Sequence, residues 1–135
     1  MKIKAIVERN DNNFYAITSD DVIAGCHFGG YGYSVQEAKT DFMEGIRESL
    51  ETAKELGKEV NVKPEEIEVE FRYDIPSFFN YFDWINISAF AKQAGINESK
   101  MRAYKAGLAT ASENTLTKIL STIRTMGAAM SAVTL

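Results

Sequence analysis

The stretch Asn86-Ile87-Ser88-Ala89-Phe90-Ala91-Lys92-Gln93-Ala94-Gly95-Ile96-Asn97-Glu98-Ser99-Lys100-Met101-Arg102-Ala103-Tyr104-Lys105-Ala106-Gly107 decides how this chain is organised. Asn86 or Ser88 can cap a short helix whose Phe90, Ala91 and Ala94 share one face. Gly95 tolerates the positive φ that ends such a helix in a tight turn. Ile96 then plugs the turn into a core, Asn97 caps a second helix, and Met101 and Tyr104 face inward from it. Ala91 is small because the two helices are expected to cross closely there. Two short helices at a steep angle about a glycine turn are the physical content of a helix-turn-helix.

Working outward toward the C-terminus, Gly107 ends the second helix and a loop leads to Ser112-Glu113-Asn114-Thr115-Leu116-Thr117-Lys118-Ile119-Leu120. Ser112 caps a third helix there, with Ile119, Ile123 and Met126 on its core side. The tail from Met126 to Leu135 is small and apolar. It is expected to pack across a two-fold axis, although a self-packed terminus would use the same residues. The spacing through these three helices resembles the helix-turn-helix of the phage-repressor and XRE class of DNA-binding domains; an ordinary helical hairpin is the structural alternative.

That resemblance implies a docking mode, with the second helix in the major groove and its N-terminal residues at the base edges. Asn97, Glu98, Ser99, Arg102 and Ala103 would then face the bases, Glu98 accepting from cytosine and Arg102 donating to guanine. Lys100 and Lys105 would meet phosphates, and Asn86 and Ser88 would present main-chain N–H groups to another. The loop Leu108-Ala109-Thr110-Ala111 departs from the class, which often carries basic residues there. Tight binding is therefore expected to need two copies on a palindromic operator, so a homodimer or higher assembly.

Working outward toward the N-terminus, Phe78, Phe79, Tyr81, Phe82 and Trp84 crowd the segment 76–85, read as an aromatic linker given to inter-domain packing. Before it, residues 1–75 read as a separate domain. Ile3, Ala5 and Val7 alternate with Lys4, Ile6 and Glu8 as a half-buried strand. Asn10-Asp11-Asn12-Asn13 is a turn tolerant of left-handed backbone, and Phe14 to Thr18 completes a hairpin. A third strand runs somewhere between Val22 and Tyr33, its limits blurred by glycines. Ser34 and Glu37 fit a capping box, and Val35, Ala38, Phe42, Ile46, Leu50 and Ala53 recur at helical spacing up to Gly57. Beyond Pro64, Ile67, Val69, Phe71 and Tyr73 alternate with Glu68, Glu70 and Arg72. The expected fold class is α+β: a β-β-β-α-β sheet with one helix on one face, followed by a small all-α helix-turn-helix domain over 86–135.

Charge divides at the same boundary. Residues 1–84 hold 9 Lys+Arg against 17 Asp+Glu, a net −8, whereas residues 85–135 hold 6 against 2, a net +4. The basic part suits a polyanion and the acidic part would repel one. Among 135 residues, 45% hydrophobic, the apolar stretches are too interrupted to span a bilayer, and Met1-Lys2-Ile3-Lys4 leads into a strand rather than a signal peptide. With Cys26 its single cysteine, the chain reads as cytoplasmic. Cys26 and His27 read as a partly buried strand packing pair. Glu8, Glu44, Glu48, Glu70 and Asp74 could be imagined as a two-metal nuclease cluster, but the alternation places them on solvated faces. No catalytic, metal or cofactor-binding residue is expected.

Gly25-Cys26, the glycine at 29 or 30, the capped helix and Glu37-Ala38 together resemble the N-terminal domain of HicB-type antitoxins, a truncated ribonuclease-H-like module. That family commonly has a proline before the Gly-Cys pair, where Ala24 stands here. Many members append a helix-turn-helix or ribbon-helix-helix domain, so the order of the two modules carries the resemblance along nearly the whole chain. It implies a type II toxin-antitoxin system: an antitoxin that neutralises a small, basic, mRNA-cleaving HicA-type toxin and represses its own operon on double-stranded DNA. A net −8 front would complement such a partner. The alternative is a helix-turn-helix transcription regulator whose front domain senses a ligand or only dimerises.

Overall fold

Alternating side chains require a sheet with one covered face, and the computed structural model, which describes residues 1–10 and 12–135, has that arrangement. The chain is mixed α+β and divides into two compact units, Met1–Tyr81 and Phe82–Leu135.

In the first unit, β1 (Lys2–Arg9), β2 (Tyr15–Thr18), β3 (Gly29–Gly32) and β4 (Glu68–Tyr73) form a mixed sheet in the order β3-β2-β1-β4. β2 is antiparallel to both β1 and β3, while β4 runs parallel to β1 with Ala5 beside Phe71. The β1–β2 connection is held by Asn10, whose side-chain oxygen accepts from the amides of Asn12 at 3.2 Å and Phe14 at 3.1 Å. Asn13 adopts the left-handed φ of 55° that the turn reading anticipates. Asp11 of that turn lies outside the described residues.

The helix α1 (Val35–Glu55) crosses the sheet and buries Val35, Ala38, Phe42, Ile46, Leu50 and Ala53, the stripe its spacing marked out. These meet Ile3, Ala5, Val7, Tyr15 and Ile17 from the sheet. Each large side chain so buried contributes about 1.5–3 kcal/mol. The capping box is only half formed. Ser34 Oγ accepts from the Glu37 amide at 3.1 Å, but the Glu37 carboxylate accepts from the Tyr33 amide at 2.8 Å instead of reaching back to Ser34.

The third strand falls within the expected stretch, at Gly29–Gly32, and the loop before it holds an isolated bridge between Ile23 and Cys26. One further expectation is corrected. Cys26 and His27 are not a packing pair: His27 is exposed, while the Cys26 thiol turns toward the carbonyls of Ala24 and Ser49 at 3.8 and 3.6 Å. The aromatic run over 76–85 includes a helix. Ile75–Tyr81 form a helix, α2, within the first unit, and Phe82 begins the second. Asp74 starts α2 by accepting from the Ser77 amide at 2.8 Å, and Pro76 sits in its first turn, where it needs no donor. The Ser77 hydroxyl is fully buried and finds no hydrogen-bond partner among the described residues. Ser77→Ala is therefore expected to raise stability by about 1 kcal/mol, read as a higher urea midpoint for the first unit.

The second unit is helical: α3 (Ile87–Ala94), α4 (Glu98–Ala106) and α5 (Glu113–Ser131). Its buried apolar residues are Phe90, Ala91, Ala94, Met101 and Ile119, with α3 packed against both other helices. Of the expected core side of α5, Ile119 is buried and Ile123 and Met126 are half-buried. Residues 128–135 are all exposed.

Candidate nucleic-acid interface

Capping decides which atoms of the second unit remain available to a ligand. Asn86, rather than Ser88, caps α3: its side-chain oxygen accepts from the Ala89 amide at 2.9 Å. Gly95 closes that helix with φ 70° and ψ 34°, while the Ile96 amide donates to the Ala91 carbonyl at 2.9 Å. This is the left-handed closure only glycine adopts without strain. Two residues on, Asn97 Oδ1 accepts from the amides of Ser99 at 2.9 Å and Lys100 at 3.2 Å, starting α4.

On α4, Met101 has no exposed surface and Tyr104 is half-buried, so both turn inward as their spacing requires. Ser99, Lys100, Arg102 and Lys105 are exposed, whereas Glu98 and Ala103 are half-buried. Glu98, Ser99, Arg102 and Lys105 recur at i, i+3 and i+4 and so lie along one side of the helix. They already interact. Glu98 and Arg102 are 3.6 Å apart, and Arg102 Nη2 donates to Ser99 Oγ at 3.5 Å. An exposed pair of this kind stabilises a helix by about 0.3–0.5 kcal/mol, little enough for a base edge to compete with it.

The remaining candidates are used differently. The side-chain oxygens of Asn86 and Asn97 are committed as caps, leaving their amide NH2 groups for an external acceptor. In the first turn of α3 the Ala89 amide is capped and the Phe90 amide bonds the Asn86 carbonyl. The first-turn groups left for an anion are then the N–H groups of Ser88 and of Ile87, a residue outside the sequence-based set. The Glu98–Arg102 pair was also unforeseen, although its i, i+4 spacing was the signal for it.

The electrostatic division follows the unit boundary. Phe82–Leu135 carries 6 Lys+Arg against 3 Asp+Glu, and Met1–Tyr81 carries 9 against 16. On the outer side of α1, Glu44, Glu48 and Glu51 surround the single Arg47 at 3.9, 4.0 and 3.3 Å. Asp74 is occupied by the amides of Arg9 and Ser77. Among the described residues, no group of three His, Cys, Asp or Glu side chains is placed to hold a metal ion, and no helix is long and apolar enough to cross a membrane.

One cation in the acidic unit lies against aromatic rings. Lys39 Nζ lies 3.7 Å from the ring centre of Tyr81, 4.3 Å from Phe71 and 5.1 Å from Tyr73. Burial pulls its pKa below the ordinary lysine value, while the ring faces favour the cation. Burial, reinforced by Tyr81, pushes the Tyr73 phenol up to about 12, so that ring stays neutral beside Lys39 throughout the physiological range.

Comparisons with protein-family models, with curated proteins and with solved structures each find no match to this chain.

Proposed function

We propose that this chain is an antitoxin of the HicB type and a repressor of its own operon, with an acidic β-β-β-α-β unit that covers a small basic mRNA-cleaving toxin and a C-terminal helix-turn-helix that binds operator DNA. The observation that carries the reading is the α3–Gly95–α4 turn, which buries Met101 while leaving Ser99, Lys100, Arg102 and Lys105 on the surface. A helix so presented is the element that enters a major groove. The excess of Asp+Glu in the first unit supports a separate, basic protein partner, because the same unit would repel a polyanion.

Arg102→Ala is expected to weaken operator binding by about 1–3 kcal/mol and to relax selectivity at one base pair, measured by fluorescence anisotropy against an operator and its single-pair variants. An equal loss on every sequence assigns Arg102 to phosphate alone, and no loss removes α4 from the interface. For the first unit, the expectation is a small basic protein encoded beside this chain, and co-expression with it should yield a complex that no longer cleaves mRNA. Recovery of the chain alone, with cleavage undiminished, would refute the antitoxin half of the proposal.

A further inference from the structure

The two edges of the sheet are treated differently. At β3 the outward amide of Tyr31 donates to Asp41 Oδ2 at 2.9 Å, and just beyond the strand the Tyr33 amide donates to Glu37 Oε2 at 2.8 Å. Carboxylates from α1 thus occupy the donors another strand would need, which closes that edge.

β4 is the other terminal strand. The amides of Glu68 and Asp74 donate to the carbonyls of Met1 and Val7 on the β1 side. Alternation then directs the main-chain groups of Val69 and Phe71 away from β1, toward the open edge. No carboxylate cap comparable to those of Asp41 and Glu37 meets these two amides among the described residues.

We infer that this edge pairs with the β4 edge of a second copy of the chain, antiparallel and centred on Phe71. The sequence Glu68-Val69-Glu70-Phe71-Arg72-Tyr73 is self-complementary about that residue. In this register Phe71 lies opposite Phe71 of the second copy and exchanges both main-chain hydrogen bonds with it, and Val69 lies beside Tyr73. On the polar face, Glu70 of each copy lies directly opposite Arg72 of the other, so the two-fold axis generates two cross-strand ion pairs. Both side chains are available for this. Glu70 is half exposed and, among the described residues, paired with Lys2 alone at 3.7 Å, and Arg72 is exposed. The opposing contact, Glu68 facing Asp74 at each end, is blunted because the Asp74 carboxylate is held by the Arg9 and Ser77 amides at 2.9 and 2.8 Å. Moving the two-fold axis to Glu70 would set Glu70 against Glu70, and moving it to Arg72 would set Arg72 against Arg72 and Glu70 against Asp74, so either neighbouring symmetric register brings like charges together at the axis. This surface lies wholly in the first unit and does not depend on operator binding.

The test uses charge reversal in the full chain. Glu70→Arg and Arg72→Glu each set like charges opposite one another, and each should weaken self-association about tenfold in sedimentation velocity. Mixing the two single variants restores opposite charges at both positions and should recover a mixed dimer, as should the double variant E70R/R72E with itself. In hydrogen exchange, the Val69 and Phe71 amides should become protected as wild-type concentration rises. The inference is overturned if the single variants associate like wild type, if mixing restores nothing, or if those amides exchange at the same rate at every concentration. Protection that appears only when a second protein species is added also overturns it. Operator titration of Arg102→Ala, which leaves this edge intact, reports separately on the DNA reading.

Discussion

Gly30→Ala is expected to abolish the fold of the first unit or lower its stability by about 4 kcal/mol. A Cβ at Gly30 would lie 2.5 Å from the Phe42 amide nitrogen, 2.6 Å from the Ala38 carbonyl oxygen and 2.7 Å from the Phe42 Cα. All three are main-chain atoms in the first half of α1, held in the helical backbone, so they have no rotamer to give. Relief requires β3 to move off the helix. That movement breaks the Tyr31–Asp41 and Tyr33–Glu37 bonds and opens the space around Phe42 and Ile17, both fully buried. Overpacking alone costs about 1–3 kcal/mol, and each hydrogen bond to a charged acceptor adds about 1.5–3, though the terms overlap. A unit of this size has a total stability of the same order, about 0.1 kcal/mol per residue. Gly29→Ala is the control. Its Cβ would lie 3.6 Å from the Ile17 carbonyl, an ordinary contact, and the change should cost under about 1 kcal/mol. Urea unfolding followed by circular dichroism reads both, and equal stability of the two variants would contradict the close approach of β3 to α1.

The same contact explains what the sequence hid. α1 was legible because its signals are local: a cap at Ser34, a stripe from Val35 to Ala53, and an end near Gly57. α3 and α4 were legible for the same reason, since Asn86, Gly95 and Asn97 act within a few residues of themselves. The glycines of β3 had no local reading. Gly30 and Gly32 are small because α1 lies against them, and that neighbour is placed only by the tertiary fold. Glu37 failed for a related reason. Once β3 is docked, the Tyr33 amide at the strand's end competes with the Ser34 amide and wins the carboxylate. Around α2 the error was one of competing signals. Pro76 ends a strand and also begins a helix, and Asp74 with Ser77 in the next turn marked the second role. At the candidate interface, spacing located the outward side of α4, but caps and ion pairs determined which atoms are left to bind.

Met101→Ala should eliminate most of the second unit's stability and, through it, operator binding. Met101 has no exposed surface, and with Phe90, Ala91, Ala94 and Ile119 it makes up the buried apolar set of that unit. Truncating such a side chain costs about 2–5 kcal/mol, the upper end where neighbours cannot collapse into the space. A unit this small has roughly that much to lose. The apparent affinity for DNA then falls by the fraction still folded, about tenfold for each 1.4 kcal/mol beyond the midpoint. On the proposed function the operator binds only the folded form, so excess DNA should raise the melting temperature of Met101→Ala and recover helicity by mass action. Arg102→Ala should show the reverse pattern: a wild-type melt, weaker binding, and altered discrimination between base pairs. The two substitutions sit on adjacent residues about 100° apart around α4, one buried and one exposed. Stability loss without selectivity change at 101, and selectivity change without stability loss at 102, is the signature of a helix buried on one side and reading on the other. A Met101→Ala protein with an unchanged melt would place that side chain outside the core and leave α4 without the anchor that aims it.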